Sequence, residues 1–285
     1  MANEWLDRNE YPFRSHFMDI SGQQLHYIDE GSGQTLLFVH GTPSWSFDFR
    51  NVIQKLRGKY RCVAIDHIGF GLSDKPRVYD YSTTNHRATL LQLVRKLQLR
   101  DVTLVVHDFG GPIGLSAAIE EPELVKNIVV LNSWLWSSKE DPDDIRFSKM
   151  LRSPLLPFLY KYLNFSPRFV LPAAFGDRKL HPRLLKQYTK PFASSGERMG
   201  ALAFVYSLLH DQDWFETLWN SRQPIADKRV LLIWGMKDPV IGKNYLKRFA
   251  EGFRNHEIRE LDGCGHFPQE ERAEEVAAYI SGFAG

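Results

Sequence analysis

The chain has 285 residues, 43 % apolar and 25 % charged, with 36 lysines and arginines against 34 acids. That length buries one large core, alone or with an insertion. The near-neutral balance, formally +2 with no basic block, gives no footprint for nucleic acid or an anionic membrane. No apolar run is long enough to span a bilayer, and the first residues lack the charged and apolar regions of a secretory leader. Cys62 and Cys264 are the only cysteines, so a cytoplasmic chain without a disulfide framework is expected.

In chain order, the runs 16–20 and 24–29 alternate and meet at Ser21-Gly22, which predicts a hairpin. Short continuous apolar runs follow at 35–39, 61–65, 102–106, 128–131 and 230–234, the pattern of strands buried on both faces. Helical patterns fall between them at 49–56, 84–97 and 113–121, and the chain closes with a strand at 257–261 and an amphipathic helix at 270–283. Strands alternating with helices predict an α/β fold, a mostly parallel sheet with helices on both faces and ligands beyond the strands' carboxyl ends. The alternation breaks at 136–222, a proline- and aromatic-rich helical stretch that reads as an inserted cap, leaving 1–135 and 223–285 as the core.

Each strand end then carries a chemically useful residue. Asp108 lies between four apolar residues and a pair of glycines, the layout of a strand, a sharp turn and a helix with the apex residue pushed out of the sheet. A helix cap is the plainer reading of an aspartate there. The wider pattern favours a nucleophile: Asp238 follows one later strand and His266 the next, the order nucleophile, acid, histidine. A serine at the apex needs a base before it attacks carbonyl carbon. A carboxylate is already ionised and suits saturated carbon bearing a leaving group. Asp108 is therefore expected to form an ester, His266 to activate the water that cleaves it, and Asp238 to orient the imidazole. His107, next to Asp108, points to the opposite side of its strand. There is no Cys-x-x-Cys and no His-x-x-x-His, so neither a metal nor an organic cofactor is expected.

The segments His40-Gly-Thr-Pro-Ser-Trp45, Asp66 to Pro76, Val105-Val-His-Asp-Phe-Gly-Gly111, Trp234-Gly-Met-Lys-Asp238 and Gly265-His-Phe-Pro-Gln-Glu270 resemble the haloalkane dehalogenases of the α/β-hydrolase superfamily, nearly along the whole chain. The entry to the cap, Asn132-Ser-Trp-Leu-Trp136, looks most like their third subfamily; where another subfamily has its acid after the sixth strand, this chain has Asn132. The resemblance implies hydrolysis of a carbon–halogen bond in a small apolar alkane, with water as co-substrate, by a monomer or small homo-oligomer. Two positions depart from it. The family's tryptophan after the nucleophile is Phe109, and its asparagine after His-Gly is Thr42. Backbone N–H groups of Thr42 and Phe109 then become the expected leaving-group donors, with Trp45 and Trp136 as candidate pocket residues. The same core resembles the epoxide hydrolases, which use cap phenols instead; Tyr160, Tyr162, Tyr188 and Tyr206 are candidates. A non-catalytic binding protein on this fold is a third reading, and the complete triad speaks against it.

Overall fold

The computed structural model describes residues 4–139 and 151–285. Its strands are β1 (His16–Ile20), β2 (Gln23–Glu30), β3 (Thr35–Val39), β4 (Arg61–Ile65), β5 (Val102–Asp108), β6 (Val125–Ser133), β7 (Arg229–Gly235) and β8 (Asn255–Leu261). They form one sheet in the order β1-β2-β4-β3-β5-β6-β7-β8. The first hairpin is antiparallel and joins β4 antiparallel, and every pairing from β4 to β8 is parallel. All seven residues of β5, central in the sheet, are buried, the polar Thr103, His107 and Asp108 included.

Helices α1 (Arg50–Leu56), α2 (Thr83–Lys96) and α3 (Gly110–Glu120) precede the break; α4 (Leu156–Leu163), α5 (Pro182–Thr189), α6 (Met199–His210) and α7 (Gln212–Asn220) fall within it. After β7 come α8 (Lys243–Gly252), α9 (Pro268–Glu271) and α10 (Ala273–Ala284). One apolar cluster joins the sheet to α2, α3 and α8, and another joins it to α1 and α10. Between β6 and β7 the described residues form helices and no strand. Because β3 lies between β4 and β5, the chain leaves it in opposite directions and opens a crevice at the carboxyl ends of β3 and β5. Residues 40–42 and Asp108 therefore meet.

Two helix boundaries differ from expectation for a physical reason. α3 starts at Gly110, since the glycines that read as a turn form its first turn: a Cβ at Gly111 would collide with the Ser133 hydroxyl. The final helix breaks at Arg272 (φ −132°, ψ 42°), which lets Glu270 and Glu271 both face inward. Glu270 then takes a bidentate pair from Arg50 and a hydrogen bond from Tyr188.

Several histidines without a visible partner in the sequence are buried. His26 pairs with Asp66 at 2.8 Å, whereas His86 lies among His67, Phe204 and Tyr81 with no partner for either ring nitrogen. Burial pushes His86 and His107 down to about 3, so both stay neutral in the fold. The unfolded chain takes up these protons below about pH 6.5, so stability present above that pH is lost as pH falls. Asp48, raised to about 7 by burial, acts in the opposite sense below pH 7 and offsets one histidine. Burial lowers His67 and His40 as well, so the histidines together outweigh Asp48 and stability is expected to fall between pH 6.5 and 4.5. Melting temperature should fall by several degrees across that window, and His86→Phe should flatten the fall. An unchanged melting temperature from pH 6.5 to 4.5 would contradict this.

Candidate active site

Asp108 ends β5 with φ +50°, a left-handed conformation that few non-glycine residues adopt. It holds because the surroundings leave no other room: a Cβ on Gly41 would strike the Asp108 carboxylate, and the Ser133 hydroxyl donates to the Asp108 carbonyl at 2.6 Å. The Thr42 N–H donates to Asp108 Oδ1 at 2.8 Å, leaving Oδ2 facing His266 Nε2 at 3.5 Å. The other imidazole nitrogen, Nδ1, lies 2.6 Å from Asp238 Oδ2. Asp108, His266 and Asp238, singled out by chain order, thus stand in line.

Asp238 is fixed by its own loop, accepting from the N–H groups of Val240 (2.8 Å) and Ile241 (3.0 Å) on Oδ1. Asn132 also reaches it: its amide donates at 2.8 Å to Oδ2, the oxygen that holds His266. Asn132 in turn accepts from the Gly235 N–H at 2.8 Å, which ties the ends of β6 and β7 together. Burial opposes charge on the His266 imidazole, but the carboxylates of Asp238 and Asp108 outweigh it and raise it to about 10. Burial likewise opposes ionisation of Asp238, and His266 with the two N–H donors holds it below the ordinary carboxylate range.

The loop bearing His266 is anchored from three sides. Its N–H donates to the Ala174 carbonyl at 2.8 Å, and Glu271 accepts from the Gly265 N–H at 2.9 Å. His107 Nε2 lies 2.7 Å from the His266 carbonyl, so this neutral ring serves as a backbone donor behind the site. Sequence reasoning set His107 aside because it points away from Asp108. It does, and it thereby reaches the back of the histidine loop.

Above Asp108 lies a cavity of about 390 Å³. Thr42 and Phe109 line it. Trp45 and Trp136 do not. Trp45 is fully buried with Tyr11 and Phe47 and donates its indole N–H to the Gln187 carbonyl at 3.0 Å. Trp136 packs against Trp219, Tyr245 and Phe249 behind the wall. The tryptophan that lines the cavity is Trp134, whose ring meets Phe109 edge-on at 4.8 Å between centroids. It follows directly on β6, so the rule that sends attention to strand ends also leads to it. Of the four candidate phenols, Tyr160 lines the cavity, close enough to Asp108 to feel its charge; burial raises it to about 12. Tyr162 is exposed, and Tyr188 is committed to Glu270. Tyr206 packs on His210 outside the cavity lining.

A strand-end carboxylate presented on a tight turn, with a histidine and a second acid in order, is the arrangement of an α/β hydrolase. The chain belongs to that family: the model described as alpha/beta hydrolase fold matches residues 34–273. Within it, the chain groups with the haloalkane dehalogenases. It is 32 % identical over 280 residues to Haloalkane dehalogenase 2 of Mycobacterium tuberculosis, covering 96 % of each chain. It is also 32 % identical over 287 residues to a cis-3-alkyl-4-alkyloxetan-2-one decarboxylase of Shewanella oneidensis, covering 95 % of this chain and 88 % of the other. Among solved structures, the haloalkane dehalogenase DatA of Agrobacterium tumefaciens superposes with a TM-score of 0.84 at 27 % identity, over 94 % of this chain and 95 % of that one.

Proposed function

We propose that the chain hydrolyses a carbon–halogen bond through an ester on Asp108, with residues 136–222 acting as a cap over 1–135 and 223–285. The observation that carries this reading is the Asp108 carboxylate held on Oδ1 by the Thr42 N–H, with Oδ2 free toward the cavity and His266. Oδ2 attacks the carbon, the C–X bond breaks, and halide departs with the bonding pair. Asp108 loses its charge on becoming an ester, so the imidazolium loses part of what stabilised it and releases a proton to solvent. His266 is then the base. It takes a proton from water, whose oxygen attacks the Asp108 carbonyl carbon, and Thr42 N–H steadies the oxyanion on Oδ1. Collapse expels the alkoxide, which takes the proton from His266 and leaves as the alcohol.

The Thr42 N–H, expected to serve the leaving group, donates to Asp108 Oδ1 instead, so a departing halide takes its donor from elsewhere on the cavity wall. Trp134 supplies an indole on the same wall, in place of the tryptophan replaced by Phe109. A hydrogen bond to a charged group is worth about 1.5–3 kcal/mol, so Trp134→Phe should slow bromide release from 1-bromobutane by about 10- to 100-fold. An unchanged bromide rate in a folded variant would remove Trp134 from the leaving-group site.

A second reading is favoured by Tyr160, a buried phenol near Asp108, and by the oxetanone-cleaving relative. Here Asp108 opens a strained oxygen ring and Tyr160 donates to the departing oxygen. Bromide release from 1-bromobutane should therefore be compared with ring opening of styrene oxide and of a 4-alkyl-oxetan-2-one. Ring opening without bromide release would displace the halide reading.

A further inference from the structure

A surface helix normally turns an apolar face to the core and a polar face to water. α4, Leu-Pro-Phe-Leu-Tyr-Lys-Tyr-Leu, has one charged residue and is apolar all round. Leu156 and Tyr160 face inward, while Phe158 and Tyr162 are 53 % and 64 % exposed with their rings 5.2 Å apart. Leu155 precedes them on the outer face, and Phe169, 55 % exposed, extends the patch beyond the helix. Most of the large exposed apolar side chains among the described residues lie within 155–170.

The segment that carries this patch is rich in cations. Residues 151–190 hold eight lysines and arginines and a single acid, Asp177, which is itself paired with Lys237. Closest to the patch stand Lys161 and Arg168 with Arg198, whose guanidinium donates to the Lys161 carbonyl and lies in the field of Arg168. Exposed aromatic and aliphatic side chains within a cationic field are the combination that seats a protein on an anionic lipid surface. No helix of the described residues is long and apolar enough to cross a membrane, so the contact is interfacial. The patch also adjoins the way in to the site: Arg152 and Val170, at its edges, line the cavity above Asp108.

We propose that the outer face of α4 and the segment through Phe169 form a docking surface for an anionic membrane, with the catalytic cavity opening beside it. A substrate dissolved in the bilayer then passes to Asp108 without crossing water. This goes beyond the reaction assigned above and holds for either leaving group.

The test is co-sedimentation of the whole protein with vesicles of phosphatidylcholine, with and without about one third phosphatidylglycerol. Binding is expected to the anionic vesicles at low salt, weakened on the order of tenfold at high salt, where surface charge is screened. Phe158→Glu combined with Phe169→Glu should weaken it by a similar factor. Both positions are exposed and outside the cavity lining, so the double variant should keep its melting temperature and its turnover of a water-soluble substrate. Equal binding to both vesicle types, or to neither, overturns the proposal. So does salt-insensitive self-association that the double variant abolishes, which would assign the patch to a second copy of the chain.

Discussion

Replacement of His266 by alanine is expected to leave the first half of the reaction running and to stop the second. Oδ2 of Asp108 keeps its place, since Thr42 N–H and the turn hold the carboxylate independently of His266. Nothing then activates water, and steady-state turnover should fall by about three orders of magnitude, within the range for loss of a general base. Mixed with 1-bromobutane, the variant should gain the mass of one butyl group in place of hydrogen, located on the peptide containing Asp108. Normal turnover with no adduct would remove His266 from the water-activating role.

The second large effect concerns the acid. Asp238→Ala strips the imidazole of its partner at Nδ1 and of the nearest charge favouring imidazolium, so activity should fall by about two to four orders of magnitude. Asn132→Asp in that background should recover part of the loss. The Asn132 amide already touches the Asp238 oxygen that holds His266, so a carboxylate there lies near the vacated position. In the wild type the same Asn132→Asp change should be harmful instead, because it places two carboxylates side by side and removes the donor to Oδ2. Recovery in one background with damage in the other is measured by comparing turnover of the single and double variants. If Asn132→Asp gives no recovery while the double variant remains folded, the end of β6 is not an alternative seat for the acid.

The sheet was legible because buried parallel strands leave continuous apolar runs, and β3 to β7 each do so over part of their length; β8, at the sheet's edge, is mostly polar and only Leu261 is buried. Asp108, Asp238 and His266 were legible because position after a strand fixes where a residue stands, and their order fixes its partners. Contacts that cross the fold left no trace in one dimension. His26 and Asp66 meet only because β2 and β4 pair. Trp45 and Trp136 misled because an aromatic residue near a motif says nothing of which side of the wall it takes. Trp45 turns to the Gln187 carbonyl, 142 positions away in the chain.

The central claim is that Asp108 forms a covalent ester whose carbonyl carbon is attacked by water. A single turnover in heavy-oxygen water tests it most directly, with mass spectrometry of the Asp108 peptide and of the alcohol. The label is expected in the Asp108 carboxylate, because the product of that first turnover takes its oxygen from the side chain. Label in the alcohol with an unlabelled peptide would mean that water attacks the substrate itself, and the covalent route would be wrong.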